Sequence, residues 1–291
     1  MNKLTVLITG ANGLLGQSLR TIFELNSFTV IATSLGLDRL LSHGHTYCEL
    51  DINSYHNCSE ILHKYKPSII INAAAMTNVD ECEKNQKKCI SINAHSIENF
   101  IPYVQQYNTH FIQISTDMVF DGKQGNYNED DICAPVNFYG FSKLEAEQMI
   151  LKSMQRYTIL RTSLLYDVRG DNFLTRMKYK LINRVHLDVV DDQYRTPTYV
   201  ANLATAILQV AEHFKYGIYH ISSGEKLSIF DIVCNIVTCL KLEDVLMRRI
   251  QSVDLKQVAA RPLDSSLSIK KSQKEFNFIP VTLNNTLNKI L

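Results

Sequence analysis

The stretch LTVLITGANGLLGQSLRTIFEL, Leu4–Leu25, decides the architecture. It opens with a β-branched apolar run, passes three glycines, and ends in apolar residues recurring at helical spacing. Gly10, Gly13 and Gly16 thus fall between a strand and an amphipathic helix. Glycine permits positive φ and close backbone approach, and the first turn of a helix offers N–H groups with no partner inside the helix. Such a turn cradles a pyrophosphate, here with Asn12, Leu14 and Leu15 beside the glycines. The spacing is G-x-x-G-x-x-G, one residue longer in its first turn than the G-x-G-x-x-G of many dinucleotide sites. A tight turn with no ligand is the competing reading.

Outward from this stretch, strands and helices alternate. FTVIAT is a second strand, and PSIIINAAA places a buried strand after a proline break. ISINAHSIENFIPYVQQY reads as a helix, HFIQIST as a strand, FSKLEAEQMILKSM as a helix and YTILRTS as a strand. Continuous apolar strands between helices predict a parallel sheet covered on both faces. The fold class is therefore α/β, a doubly wound parallel sheet of Rossmann type, with ligands at the carboxyl ends of the strands. After Thr162 the pattern loosens. Helices are expected at Phe173–Ile182, Val200–His213 and Ile229–Leu240, and strands at His186–Val190 and Gly217–Ile221. We divide the chain into a dinucleotide-binding part, 1–162, and a smaller C-terminal substrate lobe, 163–291, with more than one crossing between them allowed.

The 291 residues suffice for such a pair of lobes. Apolar residues make up 45% and charged residues 20%, a globular composition, and the formal net charge is +1. No basic run offers a phosphate-neutralising surface, so nucleic acid is not an expected partner. No apolar run approaches the roughly 18 residues of a membrane helix, and no leader precedes the glycines. The seven cysteines form no C-x-x-C pair and suggest reduced thiols. The expectation is a soluble, cytoplasmic protein without membrane partner. The nine histidines show no metal-ligand spacing, so no metal is expected.

Several polar stretches follow the predicted strands. The second strand ends at Ser34 with no carboxylate to hold a ribose, and Arg39 lies close by in sequence. This favours NADP over NAD, with Asp38 keeping NAD as the alternative. Asp51 and Ile52 follow the third strand, where Asp51 could accept from an adenine amino group. Ala73, Ala74 and Ala75 follow the fourth and would let a flat cofactor pass near the backbone. Ser115, Thr116 and Asp117 follow the fifth. Further on, VNFYGFSKLEAE places Tyr139 and Lys143 four residues apart, one helical turn. Alone, that spacing decides nothing and reads first as an ordinary surface pair with Tyr139 partly buried. NEDD, Asn128–Asp131, reads as a solvated loop face.

Taken in order, TGANGLLG, NAAAMTNVD, STDMVFDG, YGFSK, RTSLLY, DQYRTPT and RPLDSSL resemble the extended short-chain dehydrogenases. Within them the series is most similar to the dTDP-4-dehydrorhamnose reductase branch, from Thr9 to about Leu267. The resemblance implies reduction of a 4-keto nucleotide sugar by NADPH or NADH in deoxysugar biosynthesis. It makes Tyr139 the acid that protonates the new alkoxide. Lys143 would draw the phenol's pKa down and hold the nicotinamide ribose, and Thr116 would bond the same carbonyl oxygen. Ser115 joins the cofactor side. Thr77, Val79, Asp117, Met118, Leu164 and Arg261 become substrate-pocket candidates, Arg261 towards the diphosphate. The chain departs from the pattern in three places. Met118 replaces a common aromatic, Leu164 replaces a tryptophan in a chain that has none, and Arg195 stands where glycine is usual. Other readings are a non-catalytic NADP-binding subunit like that of methionine adenosyltransferase, or a nucleotide-sugar epimerase or dehydratase. A homodimer is the candidate assembly.

Overall fold

In the computed structural model, which describes residues 3–40 and 45–291, one parallel sheet gathers strands from both halves of the chain. They are β1 (Thr5–Thr9), β2 (Thr29–Ser34), β3 (Thr46–Glu49), β4 (Ile69–Asn72), β5 (His110–Thr116), β6 (Tyr157–Thr162) and the strand Gly217–His220. Across the sheet the order is 217–220, β6, β5, β4, β1, β2, β3, and every neighbouring pair is parallel. From β1 the chain winds one way to β3, then returns to β4 and winds the other way. The crevice at the carboxyl ends of β1 and β4 is the switch point, where ligands of such sheets bind.

Alternation along each strand sends side chains to two cores. Val6, Ile8, Val30, Ala32, Ile69 and Ile71 pack against α1 (Leu14–Leu25) through Leu15, Leu19 and Phe23. Leu7, Ile31, Ile70, Phe111 and Ile159 pack on the opposite face. There they meet α2 (Tyr55–Tyr65) and two helices named below. Burial on both faces is why these strands are continuously apolar rather than alternating.

The stretch expected to be one helix, ISINAHSIENFIPYVQQY, is interrupted. After α3 (Val79–Lys84), α4 (Gln86–Asn93) ends at Ala94 and a 3-10 turn spans His95–Asn99. Then α5 (Ile101–Tyr107) starts with Pro102 in its first turn. Proline has no N–H and clashes with the carbonyl four residues back, so it is accommodated at a helix start and not within one. Next comes α6 (Phe138–Ser153), whose Ala146 and Ile150 join the second core.

In the second half, α7 (Phe173–Ile182), α8 (Val200–Glu212) and α9 (Ile229–Cys239) lie within a residue of their expected spans. α8 packs on α1 and supplies Leu203, Ile207 and Val210 to the first core. A third core joins Leu174 and Leu181 of α7 to Ile232, Val233 and Ile236 of α9. It also takes in Leu187 and Val189 of the strand Leu187–Val190, which pairs with Met247–Ile250. α10 (Lys270–Phe276) and α11 (Leu283–Ile290) close the chain, with Leu283 and Leu287 buried in the third core. Among the described residues no helix is long and apolar enough to cross a membrane.

One loop differs from its expectation. Glu129, in the NEDD stretch, is 8% exposed and accepts from His220 N at 2.9 Å. The strand Gly217–His220 needs an acceptor for that N–H, which draws the carboxylate inward. Asn128 and Asp130 are exposed as expected, and only Glu129 departs from the solvated face.

Candidate active site

Asn137 caps α6, its side chain accepting from Gly140 N at 2.8 Å. A Cβ on Gly140 would lie 2.0 Å from Met118 O. The first turn of α6 therefore rests directly on the backbone of the 3-10 turn Asp117–Val119 that follows β5. This contact carries Tyr139 towards Thr116, whose side chain works to lower the phenol's pKa. Thr116 Oγ1 also donates to Asp117 Oδ1 at 3.1 Å and accepts from Met118 N at 3.2 Å. Lys143 follows one turn along α6, 3% exposed, and Glu147 one turn further, 1% exposed. Tyr139, Lys143 and Glu147 thus share one helix face.

Burial raises the Tyr139 phenol above its ordinary range, although Thr116 works against it. The sequence leads one to expect Lys143 to pull that phenol down, whereas here desolvation, with Asp117 adding to it, pushes it up. Burial lowers the Lys143 ammonium to about 8, against the attraction of Glu147. Glu147 is itself paired with Arg161, Oε2 to Nη2 at 2.7 Å. It also accepts from Ser115 Oγ at 2.5 Å, so the Ser115 hydroxyl points inward. Among the described residues Lys143 has neither a hydrogen bond nor a salt bridge.

The glycine loop is shaped by close backbone approach. Gly10 has φ +64°, and a Cβ there would lie 2.7 Å from Ala74 N. One on Gly16 would lie 2.2 Å from Gly10 O. Both glycines are required by the protein's own packing. Gly13 is different: its Cβ would meet only Gly10 O, at 3.2 Å, and otherwise open space. The open side of Gly13 at the start of α1 fits the phosphates of a dinucleotide. Thr9 Oγ1 donates to Asn72 Oδ1 at 2.6 Å and accepts from Ala74 N at 3.2 Å. Asn72 Nδ2 donates to Gln113 Oε1 at 2.8 Å, so the strand ends at the switch point are tied together.

The other cofactor candidates differ in how free they are. Leu14 is half-buried and Leu15 buried in the first core, while Ala73, Ala74 and Ala75 are half-buried just past β4. Asn12 is a brace: it donates to Leu37 O and Tyr47 Oη and accepts from Arg39 N. Asp51 accepts from Asn53 N in its own turn at 2.9 Å, and Ile52 is buried. Ser34 is half-buried and Arg39 exposed. Asp38, the residue that kept NAD as an alternative, is held by Arg20 in two bonds of 2.7 Å.

On the substrate side Asp117 is a buried junction. It accepts from Ser163 Oγ at 2.9 Å and from Ser265 Oγ, and Arg195 Nε lies 3.7 Å away. This ties the ends of β5 and β6 to the RPLDSSL stretch and to Arg195, which is 3% exposed. A cavity of about 260 Å³ opens beside them, lined in part by Met118, Leu164, Phe173, Gln193, Arg195 and Arg261. Leu164 has φ +39°, a left-handed conformation unusual for a leucine. Arg261 Nη1 donates to Ala259 O at 2.6 Å and pairs with Asp80 Oδ1 at 2.9 Å. Thr77 is exposed and Val79 half-buried at the start of α3, and neither lines this cavity.

The sequence reading passed over Gly140, Glu147, Phe173, Gln193 and Arg20. Glu147 carried a signal, standing two turns from Tyr139 and one from Lys143. Arg20 carried one too, an arginine beside the apolar stripe of α1. Among the described residues no cluster of His, Cys, Asp and Glu is set to hold a metal ion.

A family model described as the RmlD substrate binding domain matches residues 4–291. A dTDP-4-dehydrorhamnose reductase of Aggregatibacter actinomycetemcomitans is 36% identical over 287 residues, covering 94% of each chain. Methionine adenosyltransferase 2 subunit beta of Pongo abelii is 29% identical, covering 91% of this chain and 80% of its own. The crystal structure of a dTDP-4-dehydrorhamnose reductase from Bacillus anthracis, in complex with NADP, superposes with a TM-score of 0.89 at 30% identity, covering 99% of both chains. The chain belongs to the RmlD substrate binding domain family, the dTDP-4-dehydrorhamnose reductase branch of the extended short-chain dehydrogenases.

Proposed function

We infer that this protein is an oxidoreductase that reduces the 4-keto group of a nucleotide sugar, a dTDP-4-keto-6-deoxyhexose such as dTDP-4-dehydrorhamnose, with NADPH in preference to NADH. The observation that carries the reading is the packing of the α6 turn that bears Tyr139 and Lys143 on the turn after Thr116, whose Met118 lines a cavity with two arginines on its wall. When bound at the glycine loop, the dinucleotide supplies hydride. Tyr139 holds a proton firmly and delivers it to the oxygen of the reduced carbonyl. Thr116 offers its hydroxyl to that same oxygen and fixes where it sits. Lys143, with no protein partner, offers its donors to the ribose hydroxyls and its charge to the phenolate left behind. Arg195 and Arg261 face the charged part of the substrate.

Residues 1–162, completed by the strand Gly217–His220, serve as the dinucleotide lobe in this reading, and most of 163–291 as the substrate lobe. A cytoplasmic location goes with it, supported by seven free cysteines. A homodimer is its candidate assembly, to be tested by light scattering.

The test is oxidation of NADPH by a dTDP-4-keto-6-deoxyhexose, followed by absorbance. Tyr139→Phe should lower turnover by about 10²-fold or more while nucleotide binding persists. Full activity in Tyr139→Phe would refute the mechanism. A protein that binds nucleotide but reduces no 4-keto sugar of a panel would instead favour a regulatory role.

A further inference from the structure

The choice between the two dinucleotides is made at the adenosine ribose, where NADP carries a phosphate and NAD a hydroxyl. In sheets of this kind that position lies beyond the end of β2, and a carboxylate there selects the hydroxyl. Asp38 is the acidic residue nearest that end in the chain, yet its oxygens are engaged elsewhere. Arg20 of α1, 0% exposed, grips it with Nη1 on Oδ1 and Nη2 on Oδ2, both at 2.7 Å. Leu40 N donates to Oδ1 at 3.0 Å, and His45 Nε2 lies 3.5 Å from Oδ2. Arg20 Nη2 also donates to Leu40 O at 3.1 Å, fastening the loop as well as the carboxylate.

The rest of the loop is pinned to the cofactor side. Asn12 Nδ2 reaches Leu37 O at 2.9 Å, Arg39 N donates back to Asn12 Oδ1 at 3.0 Å, and Tyr47 Oη donates to Gly36 O at 2.6 Å. Glu49, the other carboxylate on this edge, accepts from Gly36 N at 2.9 Å. The groups left over are the exposed Arg39 guanidinium and the Ser34 hydroxyl, neither with a side-chain partner among the described residues.

We propose that Arg20 is a positioning residue for cofactor choice: by sequestering Asp38 it withdraws the carboxylate that follows β2 from a ribose hydroxyl, and leaves Arg39 and Ser34 to meet a 2′-phosphate. The proposal rests on reading the glycine loop as a dinucleotide site. Arg20 touches no part of the ligand. It acts through Asp38, whose release would put a negative charge where a phosphate must sit.

Calorimetry on the intact protein with 2′,5′-ADP and 5′-AMP, which differ only in the 2′-phosphate, reads this without turnover. The unmodified protein should bind 2′,5′-ADP at least tenfold more tightly. Arg20→Met should collapse that ratio by tenfold or more, and the double variant Arg20→Met/Asp38→Asn should restore it, since the freed charge is gone. Arg39→Ala should weaken 2′,5′-ADP and leave 5′-AMP unchanged. A folded Arg20→Met protein with an unaltered ratio would overturn the sequestration. Should that variant not fold, Asp38→Asn decides: the preference persists if Asp38 is sequestered, and loss of 5′-AMP affinity refutes it. Binding of neither fragment to the unmodified protein would remove the dinucleotide reading itself, and the proposal with it.

Discussion

Gly140→Ala tests how the proton donor is placed. The added methyl would sit 2.0 Å from Met118 O, where an ordinary contact begins near 3.4 Å. Helix and turn must therefore separate by about 1.4 Å along that line. Neither side is a flexible side chain: one is the first turn of α6 and the other the backbone after β5. Because Tyr139 is the preceding residue and Thr116 lies two residues before Met118, the displacement falls between the two groups that share the substrate oxygen. A misplacement of about 1 Å at reacting groups costs on the order of 10²-fold in rate. Overpacking of this kind also costs roughly 1–3 kcal/mol of stability. Turnover of the 4-keto sugar, followed by NADPH absorbance, should fall about a hundredfold, with 2′,5′-ADP affinity retained because the adenosine side of the sheet is untouched. A folded Gly140→Ala protein with undiminished turnover would refute the claim that this contact positions Tyr139.

Two further outcomes follow from the buried charges on α6. With the Lys143 ammonium lowered to about 8 by burial, the side chain is protonated below that pH and neutral above it. Turnover should fall roughly tenfold per unit on the alkaline side of about pH 8, a limb absent from Lys143→Arg. Glu147→Gln breaks the buried pair with Arg161 and removes the attraction that holds the Lys143 pKa up. Its loss should cost about 3–5 kcal/mol, roughly a 10 °C fall in Tm by calorimetry, and move the alkaline limb to lower pH.

The doubly wound sheet was legible because its signal is local. Apolar runs of strand length, glycines after the first, and helical periodicity between them all sit within short windows of the chain. The failures came where a distant residue intervenes. Asp38 reads as a free carboxylate until Arg20 reaches it from α1, and Glu129 reads as solvated until His220 N requires an acceptor. Pro102 did announce the break before α5, though a continuous polar–apolar rhythm hid it. In the site, Tyr139 and Lys143 could be found from spacing and resemblance. The deep burial of Lys143 could not, nor the desolvation that raises the Tyr139 phenol where Lys143 was expected to lower it. Ser115 and Asn12 show the same limit: their side chains are committed to Glu147 and to the β2 loop, commitments made through space.

The strand Gly217–His220 bears on how the chain comes to fold. Every residue of the Thr116, Tyr139 and Lys143 trio precedes it, and so do the glycines, yet until it arrives β6 is an open edge. The helix α8, which covers α1 and the first core, also lies beyond the last of those residues. A chain emerging from synthesis would thus carry Thr116, Tyr139 and Lys143 on a half-covered sheet whose edge strand β6 is paired on one side only, the condition that invites association with other chains. The last quarter of the sequence acts as a clasp. Its arrival gives β6 a second neighbour and brings Phe276, Leu283 and Leu287 onto the cores, so the sheet and its packing are complete only when the nascent protein is nearly finished.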